Sequence, residues 1–435
     1  MPFTNDNVNQ KLFAFIEASP CSFHAVAALK QELDEAGFRA LSETEPWHLE
    51  RGGCYYVDRN GSSLISFRIP SSGPDCFHII SSHSDSPSFK IKPGSAVSGD
   101  GGLMKLNVER YGGAIDSTWF DRPLSVAGRV IADADGILHE KLVYLDQDLL
   151  MIPSLAIHMS RTDSAQKALN IQTDMQPVIA AGTDENVLWN MIAASLGLRE
   201  DQLVSSDLYL CSRQKPVLWG ADQEFIGSPR LDDLECCYCS FLGFLASRSE
   251  RDIPVHCVFD NEEVGSRTRQ GADSSFLRDT LERICLGLGI SEEGFRAMIA
   301  RSFMISADNA HAVHPNFPQK ADPVNRPSLN GGIVLKYQAE QRYATDARTA
   351  AVFRTLCRRH EIPCQDYTNR SDIPGGSTLG NISGTQIPIP TVDIGLPQLA
   401  MHSIFETAGA HDTLSLVRLA TVFYRETLPA LIPSL

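Results

Sequence analysis

The stretch Cys76-Phe77-His78-Ile79-Ile80-Ser81-Ser82-His83-Ser84-Asp85 decides the reading of the fold. Its first five residues have the length and apolar character of a buried strand, and the run delivers His83 and Asp85 to its carboxyl end. Upstream, residues 8–36 space Leu12, Phe13, Phe15, Ile16, Val26, Leu29 and Leu33 as an amphipathic helix pair broken at Pro20. Residues 54–57 and 63–68 then alternate as strands. Helices, strands and a polar strand end in this order predict an α/β architecture, in which functional groups gather beyond the carboxyl ends of the strands.

The character of the chain changes near Lys92-Pro93. From there to about residue 215 come short strands, such as 126–131 and 203–210, and Gly-rich turns, such as Gly99-Asp100-Gly101-Gly102 and Tyr111-Gly112-Gly113. After Gly227-Ser228-Pro229 the α/β pattern returns, with strands predicted over 255–259, 303–306 and 390–394. Each ends at or beside a carboxylate or a histidine. The sequence therefore predicts one domain formed by residues 1–92 and 220–435, interrupted by a β-rich insert over 93–219. There is no internal repeat and no low-complexity tract.

Five motifs carry chemistry. In His83-Ser84-Asp85 the alternation of an extended strand end puts both side chains on one side, so the carboxylate can fix the imidazole tautomer as it does for metal-binding histidines. A turn with a surface histidine is the plain alternative. Asp232-Asp233 sits between a Pro-containing loop and a predicted helix, a position that suits a bridging carboxylate; an N-cap role would equally account for Asp233. Glu262-Glu263 follows strand 255–259, where two unpaired charges beside apolar residues are costly. A cation on Glu263 and a shuttled proton on Glu262 remove that conflict. Asp308 closes strand 303–306 and is followed by His311 and His314. His402, beyond the strand that ends at Ile394, reads either as a ligand or as a satisfied histidine near a helix start. Together the motifs supply one bridging carboxylate, two further ligands for each of two cations, and a spare glutamate as base. That stoichiometry suits metal-assisted hydrolysis.

Composition narrows the alternatives. A chain of 435 residues exceeds what one hydrophobic core usually serves, so two domains are expected. A net charge of −15 argues against nucleic acid, whose phosphates need a basic face. No apolar run reaches the length of a membrane span, and the first residues lack a basic region and apolar core, so no membrane association and a cytoplasmic location are expected. Eleven cysteines in a large chain without an export signal are expected to be reduced thiols. Cys236, Cys237 and Cys239 fall on a predicted helix and point in different directions, which suits buried small hydrophobes better than a zinc cluster.

The motifs also carry a resemblance. Ser82–Pro87, Ser228–Leu234, Asp260–Ser266, Ser306–Asn316 and Leu396–Ser403 resemble, in order and from about residue 10 to the C-terminus, the aspartyl aminopeptidase family. The resemblance implies an α/β, mixed-sheet dinuclear metallopeptidase domain with helices on both faces, plus an inserted β-rich dimerisation domain. It implies two divalent ions, usually Zn²⁺ with Mn²⁺ or Co²⁺ as substitutes: one held by His83, Asp232 and Asp308, the other by Asp232, Glu263 and His402. Asp85 would orient His83, Glu262 would take the proton from the attacking water, and the peptide bond after Asp232 would be cis. Family members assemble from dimers into tetrahedral dodecamers. There His158, in Ile152-Pro153-Ser154-Leu155-Ala156-Ile157-His158, would reach a neighbouring subunit's site and stabilise the oxyanion. Without the resemblance His158 reads as core or interface. Lys336 would contact the acidic side chain of the substrate, where otherwise a lysine after three apolar residues needs a snorkelling path. Tyr343, His311 and Gly376 are further pocket candidates. Two departures stand out: Asp233 where asparagine is frequent, and Pro374-Gly375-Gly376-Ser377-Thr378-Leu379-Gly380-Asn381 where Cys-Gly-Thr-Thr-Ile-Gly-Pro is usual.

The expected activity is removal of an N-terminal Asp or Glu from peptides with a free amino terminus. The rivals are an aminopeptidase that prefers neutral residues, a carboxypeptidase or amidohydrolase with the same dinuclear site, and a non-catalytic oligomeric scaffold that keeps the fold.

Overall fold

A computed structural model of the protein describes residues 3–160 and 168–427. Its centre is a nine-stranded mixed sheet in the order Arg39–Leu41, Cys54–Arg59, Ser63–Arg68, Ile253–Phe259, Phe77–His83, Phe303–Ala307, Thr391–Gly395, Ile333–Tyr337 and Cys364–Thr368. The four strands from Ile253–Phe259 to Thr391–Gly395 run parallel, so their carboxyl ends lie side by side. Strand Phe77–His83 is buried along its whole length. Alternation sends Phe77 and Ile79 into one core and Ile80 into the other.

Helices cover both faces. On one lie Asn5–Ala18, Ser22–Glu35, Leu231–Ala246, Ala347–Arg359 and Asp412–Phe423, whose apolar residues share a core with Ile80. On the other lie Phe276–Gly287, Glu292–Arg301 and Leu379–Gln386, which pack on Phe77 and Ile79. The fold class expected from the sequence is the one observed. The helix pair broken at Pro20 is present too, with Thr4 capping the first helix through a capping box. Helix Leu231–Ala246 is apolar almost all round because it is sandwiched between the sheet and Asp412–Phe423. A Cβ on Gly243 would lie 2.4 Å from Ala420 Cβ, so glycine sets the close approach of these two helices. Cys236, Cys237 and Cys239 are free thiols buried in this helix.

Residues 88–212 supply a separate six-stranded antiparallel sheet with its own core around Phe89, Val126, Leu208 and Leu210. A third sheet of five short strands joins Val217–Trp219 and Phe225–Ser228 to Glu406–Gly409, Pro397–Leu399 and Ala310–His311. This small sheet folds the late segment around residue 400 back over the strand ends.

Candidate metal centre

His83 is the last residue of its strand, and Asp308 and Glu262 follow closely on the ends of the strands to either side. Parallel register therefore gathers them at one edge of the sheet. Asp232 and Asp233 stand at the head of helix Leu231–Ala246 with non-helical dihedrals, joined by a cis peptide bond. Asp233 does not act as an N-cap: its carboxylate accepts from the His83 backbone N–H at 3.1 Å. His402 does not precede a helix either. It lies in the turn between antiparallel strands Pro397–Leu399 and Glu406–Gly409, at φ +69°. Glu406 holds that left-handed backbone, one oxygen accepting from His402 N–H at 2.7 Å and the other from Asp232 N–H at 3.1 Å.

Both histidines present the same nitrogen. His83 Nδ1 lies 3.0 Å from the Asp85 carbonyl and His402 Nδ1 lies 3.1 Å from the Gly113 carbonyl. A carbonyl only accepts, so each Nδ1 carries the proton and each Nε2 is turned inward. His83 Nε2 stands 3.3 Å from Asp232 Oδ1, and His402 Nε2 stands 3.4 Å from Asp232 Oδ2 and from Glu263 Oε2. Asp232 thus offers one oxygen to each imidazole. Ligand atoms of His83, Asp232, Asp233 and Asp308 fall within 4.8 Å of one another, as do those of Asp232, Glu263 and His402.

The Asp85 carboxylate has other partners than the imidazole. It accepts from Tyr111 Oη at 2.7 Å and from the backbone N–H groups of Glu262 and Glu263 at 3.1 and 3.2 Å. Its oxygen is 3.4 Å from His83 Nδ1, farther than its own carbonyl. Asp85 therefore fixes the glutamate turn at least as firmly as it fixes the histidine. Asn261 starts that turn at φ +63°, a conformation asparagine tolerates better than most residues, and donates to Tyr111 Oη at 2.9 Å.

The charges here are unbalanced. Burial pushes the Glu262 carboxyl up to about 8, with Asp308 and Asp85 adding to the rise against His83. Burial, then the Asp232 charge, raises Glu263 well above the carboxylate range. Burial also raises Asp308, although Lys336 opposes it. Asp232 alone goes down: burial raises it, but the His402 and His83 imidazoles outweigh that. His402 is lifted to about 10 because Asp232 and Glu263 overcome its burial. Asp232 Oδ1, Asp233 Oδ1 and Glu263 Oε1 are buried with no hydrogen-bond partner. Orphaned carboxylate oxygens opposite inward imidazole nitrogens are a donor set that divalent cations fit.

Beside this cluster opens a cavity of about 340 Å³, lined by Asp232, Glu262, Asp308, His311, Lys336, Tyr343, Gly376 and His402 among others. Lys336 is buried; it donates to the Asn309 carbonyl at 2.8 Å and lies 3.5 Å from Asp308 Oδ1. Tyr343 is buried with its ring 5.5 Å from the Lys336 nitrogen, while His311 and Gly376 are exposed at the rim. His158 is not among the residues lining the cavity; it is exposed on the short helix Ile157–Ser160. Tyr111, Gly113 and Glu406 also belong to this hydrogen-bond network, and no sequence motif marks them as such. The Tyr111-Gly112-Gly113 turn was visible only as a turn, yet a Cβ on Gly113 would crowd His402 Nδ1 at 3.3 Å.

A profile of the family described as Aminopeptidase I zinc metalloprotease (M18) matches residues 15–424. The chain is 44% identical to a probable M18 family aminopeptidase 2 of Clostridium acetobutylicum, over 95% of this chain and 98% of that one. The chain belongs to the M18 family. Among solved structures, a chain of the Ape4 and Nbr1 complex superposes with a TM-score of 0.93 at 36% identity, covering 97% of this chain and 86% of the other. The mApe1 dodecamer of S. cerevisiae gives a TM-score of 0.85 at 27% identity, with 96% of each chain covered. As an M18 member the protein is a metallo-aminopeptidase, and the cluster described above is where its acidic and imidazole groups converge.

Proposed function

We propose that the protein removes an N-terminal Asp or Glu from peptides with a free amino terminus, using Glu262 as the proton-transfer group beside two divalent cations. One cation would be held by His83, Asp232 and Asp308 and the other by Asp232, Glu263 and His402, most readily Zn²⁺, with Mn²⁺ or Co²⁺ acceptable to a mixed nitrogen and oxygen set. The observation that carries this reading is Asp232, with one carboxylate oxygen facing each inward imidazole. When bound, such ions polarise a scissile carbonyl and make water acidic near neutral pH. Glu262 would accept a proton from that water and later donate it to the leaving amine. Asp85, through the Glu262 and Glu263 N–H groups, holds the two glutamates in their different directions.

For the substrate, Lys336 supplies the cationic group of a cavity otherwise rich in carboxylates. A preference for neutral side chains is the second reading, and one observation favours it: Lys336 is already engaged by Asn309 and Asp308. Lys336→Met separates the two. Under the acidic reading, cleavage of an N-terminal Asp peptide falls at least tenfold more than cleavage of an N-terminal Leu peptide. An equal fall makes Lys336 structural. Refusal of an N-acetylated peptide checks that the free amine is needed.

The assembly belongs to the same proposal. Leu155, Ile157 and Met159 are exposed by 62–72% around His158, an apolar strip suited to a dimer contact formed by the β-rich segment. Such a contact would carry His158 into a partner's site as an oxyanion donor, within dimers that build a tetrahedral dodecamer. Light scattering tests the assembly, and a monomer at working concentration overturns it. None of the helices among the described residues is long and apolar enough to cross a membrane, and eleven free cysteines suit a reducing compartment such as the cytoplasm.

A further inference from the structure

The opposite end of strand Phe77–His83 holds a second group of metal-ligating side chains. Cys76 and His78 are two residues apart and so share a face. Parallel pairing of Ile253 with Phe77 sets Asp252 opposite Cys76 on that same face. One ligand atom from each of Cys76, His78 and Asp252 lies within 4.8 Å of the others, and the three residues are 0–2% exposed.

The protons fix what this group offers. His78 Nδ1 lies 3.0 Å from the Phe423 carbonyl, which only accepts, so Nδ1 carries the hydrogen. Nε2 is then left with a lone pair and has no hydrogen-bond partner. It points at Asp252 Oδ2, 3.4 Å away, and Asp252 Oδ1 is likewise buried without a partner. Two acceptors therefore face each other in a buried site. A second proton on His78 would serve, but it would place a charged imidazole in a fully buried position, which is costly. The Cys76 S–H offers a single hydrogen for the two orphaned acceptor atoms, His78 Nε2 and Asp252 Oδ1.

We propose that Cys76, His78 and Asp252 form a sulfur-containing cation site, suited to zinc, that ties strand Phe77–His83 to the segment preceding strand Ile253–Phe259. The residues suit the ion. A neutral imidazole, a thiolate and a carboxylate balance a divalent charge, and bidentate Asp252 raises the set to four donor atoms. The 3.4 Å between His78 Nε2 and Asp252 Oδ2 already equals a ligand-to-ligand edge of a tetrahedral site, roughly 3.4 Å for bonds of about 2.0–2.1 Å. The Phe423 carbonyl on Nδ1 is the outer hydrogen bond that metal-binding histidines usually make. Loading would displace one proton, from the Cys76 thiol to solvent. The site faces the helix Asp412–Phe423 rather than the substrate cavity, so its role is to brace the fold.

Sulfur makes the test selective, because the catalytic cluster contains none. The full-length protein is loaded with Co²⁺ and its near-ultraviolet absorption recorded. A thiolate-to-cobalt charge-transfer band is expected in the parent and in Asp232→Asn, and its loss is expected in Cys76→Ser. Zinc X-ray absorption on the parent should show a sulfur shell near 2.3 Å. Cys76→Ser should bind one metal equivalent fewer per chain, keep its initial aminopeptidase rate and inactivate sooner on heating. If Cys76→Ser does not fold, Asp252→Asn must weaken the band instead. A cobalt-loaded parent with no such band, or a band unchanged in Cys76→Ser or in folded Asp252→Asn, overturns the site and leaves the catalytic reading untouched.

Discussion

One strand carries two histidines, near its two ends, that are oriented alike and set in different surroundings. His83 and His78 each give Nδ1 to a backbone carbonyl, of Asp85 and Phe423, and each turn Nε2 toward a carboxylate, 3.3 Å away in Asp232 and 3.4 Å away in Asp252. What surrounds them differs. At the carboxyl end the neighbouring strands stop, loops deliver Glu262, Glu263 and Asp308, and a cavity of about 340 Å³ opens beside the cluster. At the amino end Cys76, His78 and Asp252 are sealed under a helix. A ligand set becomes catalytic when it keeps a spare base and room for substrate, and stays structural when it has neither.

The comparison breaks most visibly at Asp232. Asp232→Asn removes the carboxylate charge that faces both imidazoles, so peptide hydrolysis is expected to drop to background in a standard turnover assay, with the fold retained by circular dichroism. Next comes Tyr111→Phe. It removes a hydroxyl donor to Asp85, and outer hydrogen bonds of this kind are worth about 10–100-fold in metal affinity or activity. A metal titration followed by activity measures it, and an unchanged titration would confine Tyr111 to packing. The smallest effect on turnover belongs to the sealed end: Asp252→Asn is expected to leave kcat within about twofold, since distant sites act almost independently, while lowering the temperature of half-inactivation. A large loss of kcat without a loss of stability would show that the two ends are not separate.

Much of this was legible in the sequence, and the reasons are local. Phe77 to Ile80 reads as a strand because both faces of a parallel sheet demand apolar residues, and His83 follows directly. Glu262-Glu263 stood out because paired charges beside apolar strands need an explanation. His402 is harder: its turn geometry depends on Glu406 and on the Gly113 carbonyl from the bend after strand Leu103–Tyr111, a contact spanning 289 residues. No local pattern encodes such a partner. Tyr111 escaped for the same reason. His78 reads as part of a buried strand, and nothing in its neighbourhood announces Asp252 until the register of two parallel strands is known. Lys336 shows the converse. It lines the cavity beside the acidic cluster, and its commitment to Asn309 and Asp308 has no sequence signal.

The central claim is that Glu262 moves the proton while its neighbour Glu263 and the other ligands hold the cations. Turnover of Glu262→Gln, measured with metal content on the same sample, tests it most directly. Unchanged metal per chain and a rate at least about 100-fold lower are expected, the contribution of general base catalysis. Near-normal turnover with metal bound would contradict it.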